Sequence, residues 1–153
     1  MDDAGLTPAG LVVRRAKPRE IAACAALYEQ VLRATFTWTD PATHRAADFL
    51  ADAREEEVYA AFEANELVAV AGFYRPANFL HSLYVERRGR GFGKALLDHV
   101  CRAADGPVSL KVQEANVRAR AFYRREGFRL VERGCDPPPG AAWRRLRREM
   151  SAS

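Results

Sequence analysis

Arg87-Arg88-Gly89-Arg90-Gly91-Phe92-Gly93-Lys94 follows an apolar, β-prone run, Phe79–Val85, and opens an amphipathic helical pattern. Glycines at alternate positions let the backbone turn tightly and a ligand approach it closely. The amides that follow would sit at a helix N-terminus, where the dipole favours an anion. Arginine and lysine beside them are charge-assisted donors. The stretch therefore reads as a phosphate cradle, with residues 88–94 as its backbone.

Two nucleotide motifs fail on spacing. A P-loop aligned on Lys94 needs glycine at 88 and a hydroxyl residue at 95, where Arg88 and Ala95 stand. A dinucleotide fingerprint starting from Gly89 and Gly91 needs a third glycine at 94, which is lysine.

Arg88-x-x-Gly91-x-Gly93 instead resembles the acyl-CoA motif of the GNAT superfamily of N-acetyltransferases. A second segment strengthens the resemblance: Asn116-Val117-Arg118-Ala119-Arg120-Ala121-Phe122-Tyr123-Arg124-Arg125-Glu126-Gly127-Phe128. It has that family's Asn, small residue at +3, Tyr at +7 and closing Gly-Phe. The gap between the two segments suits a helix, a short strand and a second helix. The resemblance spans about residues 11–133. It departs from the family where residues 85–91 run about two residues short and Arg87 replaces the customary proline.

Length and composition agree. The chain's 153 residues suit one domain with a real core. No apolar run reaches the roughly 20 residues that span a bilayer, so no membrane partner is expected. Cys24, Cys101 and Cys135 are odd in number and lack a Cys-x-x-Cys pair, and Met1-Asp2-Asp3 is unlike a signal peptide. Both point to a reducing cytoplasm. Residues 1–76 carry 8 basic and 12 acidic side chains, a net of −4; residues 77–153 carry 16 and 8, a net of +8. A polyanionic cofactor on one half and a cationic amine on the other fit that field, and so do two ordinary solvated faces.

Residues 1–10 read as a loose tail, and residues 11–153 as one domain. Leu11–Arg15 is a strand. A helix runs from Pro18 on a stripe of Ile21, Cys24, Ala25, Tyr28, Val31 and Leu32. Asp40-Pro41 would cap a second helix with a buried stripe of Ala46, Phe49, Leu50 and Ala53. Glu57–Glu63 and residues 67–74 are strands joined at Ala64-Asn65-Glu66, and Phe79–Val85 follows. Phe92, Leu96, Val100 and Ala103 form one helix face, residues 108–112 a strand, the Asn116 segment a helix ending at Gly127, and residues 128–133 a strand. Trp143, Leu146 and Met150 have helical spacing, whereas the resemblance implies a final strand over residues 142–150; the strand is adopted. The fold expected is α+β in a GNAT-like three-layer arrangement, a mixed, mostly antiparallel central sheet with helices on both faces.

The resemblance implies acetyl-CoA as cosubstrate and a primary amine attacking directly in a ternary complex; a small-molecule amine is the reading adopted, and a protein N-terminus or lysine is the alternative. It implies that Leu83, Tyr84 and Val85 lie alongside the pantetheine, with an amide near Leu83 polarising the acetyl carbonyl. It also implies that Arg88, Gly89, Arg90, Gly91, Phe92, Gly93 and Lys94 cradle the diphosphate. Asn116 is both a helix cap and a cofactor contact in the family. Tyr123 has a phenol near pKa 10, suited to protonating the leaving thiolate; packing beside Phe122 is the other reading. His81, with an ordinary pKa near 6.5, is placed like a catalytic histidine of the serotonin N-acetyltransferase branch. It reads equally as a structural histidine, with Glu114 or a water chain as other bases. Lys111 stands where the ribosomal-protein branch has glutamate. Phe36 and Trp38 would wall the amine pocket. His44 and His99 lack a ligand-spaced partner, so no metal is expected. Cys135 reads as an incidental surface thiol. Rival classes are a non-catalytic acyl-CoA-binding module and, from the arginines of the C-terminal half, a nucleic-acid binder; nucleic acid is not expected as a partner. Monomer and homodimer are both open.

Overall fold

The computed structural model describes residues 10–35, 46–87, 89–138 and 140–149. Seven strands form one sheet in the order β1-β2-β3-β4-β5-β7-β6. They are β1 (Leu11–Arg15), β2 (Glu57–Glu63), β3 (Glu66–Tyr74), β4 (Phe79–Val85), β5 (Val108–Gln113), β6 (Arg129–Cys135) and β7 (Ala142–Arg148). The helices are α1 (Ile21–Thr35), α2 (Ala46–Ala53), α3 (Phe92–Ala103) and α4 (Val117–Arg125). Every strand pairing is antiparallel except β4–β5. This is the α+β, mostly antiparallel fold expected.

The strand at the end of the chain is resolved in favour of β over helix. β7 lies between β5 and β6, pairing Leu110 with Leu146 on one side and Leu130 with Leu146 on the other. The helical spacing of Trp143 and Leu146 was fortuitous. An edge-to-edge ladder on both sides satisfies more backbone than an isolated helix turn would.

Each face of the sheet has its own core. Cys24, Ala25, Leu27 and Phe49 of α1 and α2 pack on Val58, Ala60 and Val70. On the other face Phe92, Leu96, Leu97 and Val100 of α3 join Tyr123 of α4, Ala69, Ala71, Phe73, Leu110 and Leu146. Leu50 corrects the expected stripe of α2, being 41% exposed while Phe49 is buried. Asp40-Pro41 lies outside the described residues. The β2–β3 hairpin turns through Ala64 and Asn65, both at positive φ (51° and 67°), the twist two-residue hairpins favour.

Two irregularities matter for function. In the β3–β4 ladder Gly72 faces Ser82 and Phe73 faces Leu80, so His81 is an extra residue, a bulge that re-aims its side chain. In the β4–β5 ladder only Phe79 and Leu80 are paired, with Ser109 and Leu110. The strands then part, leaving residues 81–85 without a strand partner on that side.

Candidate active site

At the far end of this opening stands the N-terminus of α3. Gly91 is its cap, in the left-handed region at φ 79°, with no side-chain cap hydrogen bond. The first helical bond is from the Ala95 amide to the Gly91 carbonyl, at 3.1 Å. The amides of Phe92, Gly93 and Lys94 therefore precede the helical ladder and are donors for an anion. Gly89 takes a second left-handed turn at φ 77°. Gly93 is needed for a different reason: a Cβ there would meet Val85 Cγ2 at 3.3 Å and the Phe122 ring at 3.6 Å. It lets α3 close on both β4 and α4.

The cradle is a backbone device more than a side-chain one. The Phe92 side chain is buried in the core. Lys94 Nζ is held by Glu126 at 2.9 Å and Asp98 at 3.2 Å. Arg90 pairs with Glu63 at 2.9 Å and lies over the Phe92 ring. Arg88 lies outside the described residues, as do Phe36, Trp38 and His44.

Tyr123 is buried, with its ring edge-on to Phe122 and Phe128 at 5.1 and 5.4 Å. Burial raises its phenol further above the ordinary value, so it carries its proton across the neutral range. Tyr84 projects to the opposite face, where its ring meets Tyr28 at 5.2 Å. Burial raises the Tyr84 phenol too, and the phenols of Tyr28 and Tyr123 add to that. Asn116 caps α4 as expected, its Oδ1 accepting from the Ala119 amide at 3.2 Å.

His81 sits on the bulge with its Nδ1 2.8 Å from Glu56 Oε2 and 3.5 Å from Asp52. The Glu56 hydrogen bond is the largest influence on its pKa; burial opposes it, the Glu56 and Asp52 charges add to it and Lys111 subtracts. The net is upward. The other carboxylate oxygen of Glu56 points at Gly72: a Cβ there would lie 2.6 Å from Oε1 and 2.8 Å from Ser82 Oγ. Ser82 is buried, and its hydroxyl has no partner among the described residues. Glu114, the other carboxylate considered, is taken up by Arg144 at 2.8 Å and Arg120 at 3.5 Å, and the Arg144 hydrogen bond lowers its pKa. An anchored, acidified carboxylate is a poor base.

Glu56, Asp52, Ser82 and Tyr28 went unread in the sequence. Glu56 is the middle of Glu55-Glu56-Glu57, which in one dimension looks like a solvated run before a strand. Tyr28 looked like one more member of a helix stripe. Its ring in fact contacts both Phe49, at 5.3 Å, and Tyr84.

Among the described residues no group of three or more His, Cys, Asp or Glu is placed to hold a metal, and no helix is long and apolar enough to cross a membrane.

An open β4 edge ends at a helix N-terminus with unpaired amides, and comparison with known proteins places the chain in a family. The acetyltransferase (GNAT) family profile matches residues 22–128, and the chain belongs to this family of N-acetyltransferases. The peptidyl-lysine N-acetyltransferase YjaB of Salmonella typhimurium (strain LT2) is 34% identical over 106 residues, covering 60% of this chain and 70% of that protein. A GCN5-related N-acetyltransferase from Rhodopseudomonas palustris superposes with a TM-score of 0.78 at 16% identity, over 94% of this chain and 98% of that one. The PaiA N-acetyltransferase of Thermoplasma acidophilum, solved with coenzyme A, superposes with a TM-score of 0.72 at 14% identity, over 92% and 99%.

Proposed function

We propose that this chain transfers the acetyl group of acetyl-CoA to a primary amine by direct attack in a ternary complex. The observation that carries the reading is the continuity of the opened β4 edge with the bare first turn of α3. Acetyl-CoA supplies an activated thioester and a polyanionic handle. The amides of residues 92–94, with Gly89 and Gly91 shaping the approach, bind the diphosphate. Residues 83–85 offer their free edge to the pantetheine arm, and the Leu83 amide polarises the acetyl carbonyl.

His81 takes the amine's proton, oriented and made more basic by Glu56. Tyr123 returns a proton to the leaving sulfur. On the α1–α2 side, Tyr28, Phe49 and Tyr84 form aromatic walls and Asp52 and Glu56 an acidic rim, a surrounding that suits a cation. This favours a small primary amine. The similarity to a peptidyl-lysine N-acetyltransferase favours a second acceptor, a lysine side chain on a peptide, which presents the same ammonium.

A thiol-release assay with acetyl-CoA against simple amines, amino acids and lysyl peptides tests the reading and ranks the acceptors. Saturable coenzyme A binding without release for any acceptor would replace the enzyme by a binding module.

A further inference from the structure

Beyond His81, the sheet face opposite α3 carries basic side chains on β5 and β7. Ser109 and Lys111 alternate with the buried Leu110 on β5, and Arg145 and Arg147 alternate with the buried Leu146 on β7. The register sets Ser109 beside Arg147 and Lys111 beside Arg145. An open cavity of about 540 Å³ is lined here by Ser109, Arg145 and Arg147, with Ala77, Pro107 and Val131 as apolar walls and Glu132 as its one carboxylate. That volume falls within the roughly 300–1,000 Å³ of small-molecule sites.

The cations of this cavity are weakly committed. Arg145 donates to the buried Ser109 hydroxyl at 3.4 Å and lies over the Phe79 ring, and no carboxylate pairs with it among the described residues. Among the described residues Arg147 pairs with the exposed Glu149 at its own strand end, an exchangeable surface contact. Lys111, outside the cavity lining, is stacked over Trp143 at 4.2 Å. One carboxylate, Glu132, against two arginines leaves the cavity lining positive.

Its position relative to the acetyl-transfer site is fixed by one ring. The Phe79 centroid is 6.3 Å from that of His81 and 5.9 Å from the Arg145 guanidinium. The guanidinium can therefore be no farther from the imidazole than those two lengths end to end. Four extended residues, at about 3.3–3.6 Å each, cover as much. The Phe79 ring thus neighbours both His81, with its carboxylates Glu56 and Asp52, and Arg145, with Ser109.

We infer that the acceptor is a bipolar molecule, carrying a carboxylate as well as the reacting amine, and that Arg145 and Arg147 with Ser109 bind that carboxylate while the amine lies at His81 and Glu56. The class comprises amino acids with a distal amine and short peptides with an acidic group near the lysine. The inference rests on the acetyl-transfer reading for the placement of the amine; the anion site itself does not. Its polarity excludes unadorned polyamines as preferred acceptors, since their second ammonium would face the arginines.

Two measurements test this. In steady-state kinetics, 6-aminohexanoate should exceed pentylamine in kcat/KM by about tenfold or more, the scale of one charged hydrogen bond. Arg145→Ala should erase that preference through KM, leaving pentylamine turnover unchanged. A lysyl tripeptide with a free acid terminus against its amide separates peptide from free amino-acid acceptors. Separately, 6-acetamidohexanoate titrated into 15N-labelled protein should shift the amides of residues 109, 145 and 147, and Arg145→Ala should abolish those shifts. Equal rates for each matched pair, or an Arg145→Ala loss shared by pentylamine, would overturn the proposal, as would unmoved amides. Amide shifts without thiol release from any acceptor would retain the anion site and remove acetyl transfer instead.

Discussion

Replacing Gly72 by alanine should disconnect His81 from its carboxylate without touching either residue. The new Cβ would lie 2.6 Å from Glu56 Oε1, and ordinary contact begins at 3.4 Å, so that oxygen must retreat by 0.8 Å (3.4 less 2.6). The His81–Glu56 bond is 2.8 Å long. That bond is made by Oε2, and because both oxygens belong to one rigid carboxylate, displacing Oε1 should carry Oε2 out of hydrogen-bond geometry with His81. Ser82 Oγ, at 2.8 Å from the same point, must turn as well. His81 then loses the largest influence raising its pKa while burial continues to lower it, so its titration should move down.

The shift has a sign in stability as well. A histidine raised in the folded state stabilises the fold below its unfolded pKa, and that contribution disappears as pH rises through the folded value. The alanine variant should therefore lose more stability, relative to wild type, at pH 6 than at pH 9. Superimposed on this is a pH-independent overpacking cost of about 1–3 kcal/mol, or about 2–4 °C of Tm per kcal/mol at this size. Proton NMR of the His81 Cε1–H, assigned with His81→Asn, reads the pKa directly, and the acidic limb of kcat/KM should move down with it. An His81 titration unmoved in a folded Gly72→Ala protein would refute the coupling.

Other outcomes follow from the same geometry. Tyr123→Phe should lower kcat by about 10²–10⁴ with coenzyme A affinity by calorimetry nearly unchanged; an unaltered rate would leave Tyr123 as core packing only. Lys94→Met should change coenzyme A affinity by less than about threefold, because the half-exposed ammonium is already held by Glu126 and Asp98 and a screened charge adds little at a distance; a much larger loss would mean that it swings to the phosphates. Glu57, hydrogen-bonded by Arg75 at 2.6 Å and by Tyr59 at 2.7 Å, is held at about 2 against its ordinary 4.5. Its stabilisation is complete above pH 4.5 and is lost as pH falls toward 2; urea midpoints of wild type should decline through that window more steeply than those of Glu57→Gln.

What the sequence disclosed and what it hid divide along one physical line. Strand and helix bounds were legible because burial on a sheet face or helix stripe recurs with a fixed period; Leu11–Arg15, Glu57–Glu63 and Phe79–Val85 emerged as read. The cradle was legible because backbone geometry demands glycine, and Gly89 and Gly91 do take positive φ. The proton-accepting side was half legible. His81 is a chemically conspicuous residue, but its partner Glu56 is 25 positions away and is brought to it by two events without sequence period, a bulge in β4 and the turn from α2 into β2. Leu50 was misplaced for the related reason that a helix of eight residues buries a narrower stripe than its apolar content suggests. A bulge adds one residue to a strand and leaves its alternation intact on either side, so no count of apolar spacings reveals it. Yet that one added residue turns His81 out of the strand pattern and against Glu56. The proposed base is thus specified by an interruption of the periodicity that made the fold readable, and residues whose role depends on such interruptions must be found by geometry.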